Sequence, residues 1–305
     1  MAGSRQGDTL NGFERDGLVF DVRDAGPRDG SVVVLLHGFP QDSTSWSAVA
    51  PLLHAGGLRT LAPDQRGYSP GARPQGRAAY ALREASADVV AMLDAAGVQR
   101  AHLVGHDCGG AVVWDATERY PDRFLSAVPI STPHPAAFAY AFTHSLQALR
   151  SWYVALFQVP VLAEVAVAPA LERSLRASGL PAERARYYAD RMREPGALTA
   201  ALGWYRGAAA GIAGSLLRTA RRARSGPTTG TMSRAASGRA GWSGPTTFVW
   251  GGHDPWLGRV AAERTAAFVR GDYRFVDVDG GHWLPENNAG EVAAAVLART
   301  GPDAP

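Results

Sequence analysis

The sequence predicts an α/β fold: a mostly parallel β-sheet with helices on both faces and a helical insertion midway along the chain. Two features predict it. Short apolar runs bounded by Gly, Pro or Asp alternate with segments of helical period, and that alternation stops after Pro133 and resumes near Thr246. Uninterrupted apolar runs suit strands buried on both faces, as in parallel sheets, and the helical segments between them supply the crossovers that parallel strands require.

In chain order, the apolar run Ser31–His37 reads as the first buried strand, followed by the helical segment Ser45–His54 and the strand Thr60–Pro63. Arg83–Ala96 has helical period, Ala101–His106 reads as a strand, Gly109–Tyr120 as a helix and Leu125–Ser131 as a strand. From Pro133 to about Arg218 the chain is Ala/Leu-rich, helical in pattern and without a plausible strand; Thr246–Trp250 and Tyr273–Val278 complete the sheet. The organisation expected is therefore core (1–133), helical cap (134–218), an Arg/Gly/Ser-rich loop (219–243) and core again (244–305). Ligands of open α/β sheets bind outside the carboxyl ends of the strands, so an insertion leaving from such an end covers the site. In the loop, SGPTT occurs at Ser225–Thr229 and again at Ser243–Thr247, which suggests a duplication with no catalytic role.

Composition narrows the class. A chain of 305 residues with 46% apolar and 19% charged residues can bury the core of one large domain. No run of about 18 apolar residues is present, and Met1–Asp8 lacks the apolar core of a signal peptide, so a cytoplasmic protein without a membrane partner is expected. The single cysteine, Cys108, excludes an internal disulfide and a Cys-based metal cluster. All 31 basic residues are Arg, and six of them (Arg218, Arg221, Arg222, Arg224, Arg234, Arg239) fall in a stretch without an acid, more than the whole net charge of +3. The excess is one local patch, which argues against a nucleic-acid partner.

Four segments carry chemistry. In VGHDCGG (Val104–Gly110), Gly105-His106-Asp107-Cys108-Gly109 fits the G-x-nucleophile-x-G turn between a strand and a helix, with Asp in the nucleophile's place. A carboxylate at the head of a helix is favoured by free N–H groups and by the helix dipole. LLHGFPQDSTSW (Leu35–Trp46) follows a strand and can offer the Phe39 N–H to an oxyanion, paired with the N–H of Cys108. VWGGHDPWLG puts Asp254 just beyond one strand and DGGHWLPE puts His282 just beyond the last. In that order His282 is the general base and Asp254 fixes its tautomer. His253 is the rival for a second functional imidazole, whereas His54, His102 and His144 read as structural.

Taken together, HGFP (His37–Pro40), DQRGYS (Asp64–Ser69), GHDCGG, STPHPAAF (Ser131–Phe138) and GGHW resemble the soluble epoxide hydrolases of the α/β-hydrolase superfamily. The resemblance runs from about Gly17 to Arg299, apart from Thr219–Ser243. In the insertion, WYVALFQVP (Trp152–Pro160) is similar to the family's Y-x-x-x-F-Q-x-P and LGWYR (Leu202–Arg206) to its N-W-Y-R. The resemblance implies an α/β-hydrolase fold in which Tyr153 and Tyr205 hold the epoxide oxygen, Asp107 forms an alkyl ester and His282 activates the water that cleaves it to a vicinal diol. It implies no metal or organic cofactor, and a small apolar epoxide touched by Trp152, Trp204, His106 and Trp283; a homodimer is left open. Gly203 stands where the family has Asn, and Cys108 where it usually has Trp, which predicts a wider cavity beside the nucleophile. A haloalkane dehalogenase would place side-chain halide donors where Phe39 and Cys108 stand. A non-catalytic binding protein on this fold would be expected to have lost a triad member, and all three are present here.

Overall fold

In the computed structural model, which describes residues 9–208 and 242–300, one sheet is built from β1 (Gly12–Arg15), β2 (Leu18–Ala25), β3 (Val32–Leu36), β4 (Arg59–Pro63), β5 (Ala101–His106), β6 (Phe124–Ile130), β7 (Thr246–Gly251) and β8 (Tyr273–Val278). The spatial order is β1-β2-β4-β3-β5-β6-β7-β8. Strands β3 to β8 pair in parallel, and β1 and β2 add an antiparallel edge. Every strand expected from an apolar run is present to within one residue at either end. The edge hairpin was not expected, and its burial explains why. Only Phe13, Phe20 and Val22 face inward, while Glu14, Asp21, Arg23 and neighbouring charges face out, so no continuous apolar run marks it. Its legible signal is the Asp16–Gly17 turn, with both residues at positive φ, the geometry of a two-residue hairpin loop.

Helices cover both faces. α1 (Ala50–Ala55) lies on one, and α2 (Leu82–Ala95) and α3 (Cys108–Arg119) lie on the other. Between β6 and β7 come α4 (Pro135–His144), α5 (Gln147–Arg150), α6 (Trp152–Phe157), α7 (Leu162–Val167), α8 (Leu171–Ala177), α9 (Ala182–Met192) and a further helix, α10, at 197–208. The expected Arg-rich loop lies outside the described residues except for Trp242 and Ser243. After β7 follow α11 (Arg259–Arg264), α12 (Leu284–Asn287) and α13 (Ala289–Leu297), with α13 burying Val292 and Val296 against the α1 side of the sheet.

The turn from β5 to α3 positions the site. Asp107 has φ +52° and ψ −120°, a sparsely populated conformation for a residue with a side chain. It is held by its own N–H donating to Ile130 and by the Thr132 hydroxyl donating to the Asp107 carbonyl at 2.7 Å. The turn is tight enough that a Cβ at Gly105 would lie 2.3 Å from the Gly109 carbonyl oxygen, and one at Gly109 the same distance from that of Leu36. Both obstacles are backbone, so neither can swing away. Gly109→Ala should therefore force α3 off β3 and lower the unfolding free energy by about 1–3 kcal/mol. Urea unfolding should show a lower midpoint at unchanged slope; an unmoved midpoint would mean that the helix can shift freely.

Candidate active site

Four chain segments meet beyond the carboxyl ends of the parallel strands. Phe39 follows β3, Asp107 follows β5, Asp254 follows β7 and His282 follows β8. His282 Nδ1 lies 2.7 Å from Asp254 Oδ2, and His282 Nε2 faces Asp107 Oδ2 at 3.7 Å. Asp254 is itself fixed, because its Oδ1 accepts the N–H groups of Trp256 and Leu257 at 2.8 and 3.0 Å. The Phe39 N–H donates to Asp107 Oδ1 at 2.9 Å. Cys108 is the first residue of α3, so its N–H is among those with no acceptor inside the helix.

Asp107 and His282 open onto a cavity of about 200 Å³ whose far wall is made by the helices between β6 and β7. Tyr153 and Tyr205 line it, with ring centroids 6.1 Å apart. Burial raises both phenol pKa values, and the charge of Asp107 adds to the shift, so both remain protonated donors. The rest of the wall is mostly apolar, with Leu156, Phe157, Leu171, Leu175 and Trp256 beside the hydroxyls of Ser174 and Ser178, and among the described residues its only carboxylate and imidazole groups are those of Asp107 and His282. Among the described residues no cluster of His, Cys, Asp and Glu is arranged to hold a metal ion.

Of the expected substrate contacts, Trp283 lines the cavity, and Trp152 does so at its rim with 62% of its surface exposed. Two expectations are corrected. Trp204 faces the core instead, where its indole N–H is consumed by the Arg66 carbonyl at 2.8 Å. His106 lies behind the site, wedged between Gln41 Oε1 and the His282 carbonyl at 2.9 and 2.8 Å. Cys108 is not among the residues that line the cavity. Burial raises its thiol pKa, as does the neighbouring Asp107 charge, which keeps the sulfur an unreactive thiol. His253 is exposed and pairs with Asp279 rather than facing the cavity, and His54, His102 and His144 bond Thr60, Ser126 and Tyr140. Gly203, the departure beside Tyr205, has the Tyr80 ring packed where a Cβ would stand.

Sequence reasoning missed the residues that hold the two tyrosines. Gln158 Nε2 donates to the Tyr205 carbonyl at 3.1 Å, tying α10 to the end of α6. The buried Arg206 donates to the Phe157 carbonyl at 2.8 Å and pairs with Glu164 at 2.9 Å, tying α10 to α6 and α7. Both stood inside the quoted motifs, Arg206 directly beside Tyr205.

Comparison with known proteins identifies the family and agrees with the fold. A family model described as alpha/beta hydrolase fold matches residues 31–289. The chain is 34% identical to Epoxide hydrolase A of Mycobacterium tuberculosis, over 93% of this chain and 94% of that protein. It is 31% identical to the AB hydrolase superfamily protein YfhM of Bacillus subtilis, over 92% and 94%. Among solved structures, Epoxide Hydrolase A from Mycobacterium thermoresistibile superposes with a TM-score of 0.74 at 27% identity, covering 94% of this chain and 96% of that one.

The electrostatics of the buried pair give a pH-dependent expectation. Burial by itself would lower the His282 pKa, but the charge and hydrogen bond of Asp254, with Asp107 beyond, outweigh it and leave the imidazole above its ordinary value. A group raised on folding stabilises the fold fully below its unfolded pKa of about 6.5, and that share is lost as the pH rises through the folded value. Asp254→Asn should therefore cost more melting temperature at about pH 5.5 than at about pH 9. A deficit equal at both pH values would mean that Asp254 acts only through the Trp256 and Leu257 amides.

Proposed function

The chain belongs to the epoxide hydrolases of the α/β-hydrolase superfamily, and from that premise we propose that it opens a small apolar epoxide to a vicinal diol through an alkyl ester of Asp107. The observation that carries the proposal is the opposition of Asp107 to two protonated phenols across one apolar cavity. An epoxide's leaving oxygen stays tethered to the product and develops alkoxide charge, so it requires a donor on the face opposite the nucleophile. Phenols can supply both the hydrogen bond and, late in ring opening, the proton.

In the first half-reaction a carboxylate oxygen of Asp107 attacks an epoxide carbon, the C–O bond breaks, and the freed oxygen takes a proton from Tyr153 or Tyr205. In the second, His282 takes a proton from water while the water oxygen adds to the Asp107 carbonyl carbon. The resulting oxyanion is met by the Phe39 and Cys108 N–H groups. Collapse expels the diol oxygen, which takes the proton back from His282. The proton left on the Asp107 carboxyl then restores the phenol. Asp suits this route where Ser would not, because a carboxylate ester can be cleaved at its carbonyl and an alkyl ether cannot. In this reading the helices between β6 and β7 act as the cap, and their apolar wall selects an uncharged substrate.

With styrene oxide as substrate, His282→Gln should gain the mass of one epoxide on Asp107 and keep it. Tyr153→Phe and Tyr205→Phe should each lower kcat/KM by roughly 10- to 10³-fold, by analogy with the loss of one oxyanion donor, and the double variant should be nearly inactive. Folding should be unaffected, since only a hydroxyl is removed. A double variant that opens the epoxide at the parent rate would sink the proposal. So would a parent enzyme that releases bromide from 1-bromobutane faster than it opens any epoxide.

A further inference from the structure

Behind the site lies a buried polar chain that the proposed mechanism does not use. Gln41 is fully buried, and its Oε1 accepts the Gly38 N–H at 3.0 Å and faces His106 Nδ1 at 2.9 Å. Its Nε2 donates to Glu286 Oε1 at 2.7 Å. The same Glu286 oxygen accepts the hydroxyl of the fully buried Tyr188 at 3.0 Å, and Arg184 donates to that hydroxyl in turn. Among the described residues, Glu286 Oε2 is shut away from solvent with no hydrogen-bond partner.

One carboxylate oxygen thus joins three segments that are remote in sequence. Gln41 and Gly38 belong to the loop that presents the Phe39 N–H to Asp107. Glu286 belongs to α12, whose first residue, Leu284, donates to the His282 carbonyl at 2.9 Å. Tyr188 belongs to α9, in the helical insertion. The second branch of the chain also ends at the site, because His106 Nε2 lies 2.8 Å from the same His282 carbonyl. Burial and the neighbouring His282 push the His106 pKa down to about 3, so the ring is neutral and its single N–H serves one of its two acceptors at a time.

We propose that Glu286 is a positioning residue for the ester-hydrolysis step: through Gln41 it sets the oxyanion loop against the His282 loop, and through Tyr188 it locks both to α9. The proposal rests on the Asp107 ester read above. Its selectivity for one step follows from what the Phe39 N–H does. Before alkylation that donor already stabilises the Asp107 carboxylate, so loosening it removes as much from the ground state as from attack on the epoxide. During hydrolysis the same donor meets a new oxyanion, and His282 must address a water at the same moment. Misplacing either loop therefore slows the second step far more than the first. Burial pushes the Glu286 carboxyl up to about 7, against the pull of Gln41, Tyr188 and Arg184. A carboxyl kept in so unfavourable a place is typical of groups retained for a site rather than for stability.

The test is single-turnover kinetics on the full chain with styrene oxide, following the Asp107 adduct by intact mass. Glu286→Ala, which leaves Gln41 and Tyr188 without their shared acceptor, should slow adduct decay by roughly 10-fold or more while adduct formation stays within about twofold of the parent. Glu286→Gln keeps a carbonyl oxygen for both donors and should restore decay to near the parent rate. Parent-like decay in Glu286→Ala, equal slowing of both steps, or no rescue by Glu286→Gln would each overturn the proposal. Should Glu286→Ala fail to fold, Tyr188→Phe removes one donor with little loss of packing and must show the same selective slowing. If the parent and His282→Gln never carry adduct, it is the Asp107 ester that fails; if they do and the Glu286 and Tyr188 variants behave as the parent, the positioning role alone is wrong.

Discussion

A single backbone conformation organises this molecule. Asp107 is held at φ +52° at the point where β5 becomes α3, and such a conformation costs of order 1–3 kcal/mol unless its surroundings impose it. The surroundings do so at every contact. The preceding and following glycines let the helix approach the strand, Ile130 and Thr132 bond the Asp107 main chain, and α3 begins at the next residue. The outcome is a carboxylate that projects out of the sheet, between the Phe39 loop on one side and His282 on the other. A relaxed turn at this position would point the side chain along the sheet and leave the three other loops with nothing to converge on.

The electrostatics follow from the burial this geometry imposes. Two carboxylates and an imidazole share a site from which water is largely excluded, and ionised groups there are tolerable only when each is met by donors. Asp254 is met by two backbone amides and His282, and Asp107 by the Phe39 amide and the head of α3. The same exclusion of water acts in the opposite direction on the far wall, where it keeps Tyr153 and Tyr205 protonated. One cavity therefore holds a charged acceptor face and a neutral donor face, and the separation arises from burial on both sides.

The parallel strands were legible in the sequence because each is buried on both faces and so reads as an unbroken apolar run. Asp107, Asp254 and His282 were legible for a related reason, since each stands just past the end of such a run, within three residues of a Gly that breaks it. The edge hairpin was hidden because half of its side chains face water. Trp204 and His106 were misread because adjacency to a functional residue says nothing about direction. Trp204 is next to Tyr205 but points to the other side of α10, and His106 precedes Asp107 at a turn that sends the two side chains apart. Periodicity reports which face of an element is buried, and it does not report which cavity a particular side chain reaches.

Polar residues that join distant segments were the least visible, and they carry much of the precision of the site. Each strand fixes the base of its own loop, but nothing in a strand sets the distance between the tips of two loops. Here that is done by Gln158 and Arg206 between the tyrosine helices, and by Gln41 and Glu286 between the Phe39 and His282 loops. The ion pairs of Arg191 with Asp42 and Asp64 do the same for α9 and the core. A satisfied buried hydrogen bond adds only about 1 kcal/mol, yet removing one partner strands the other at a cost of about 1–3 kcal/mol. Displacement of a reacting group by even about 1 Å can cost on the order of 10²-fold in rate. Links of this kind are therefore minor in the stability of a domain this size and large in its chemistry. A sequence pattern that ranks positions by burial or periodicity will pass over them.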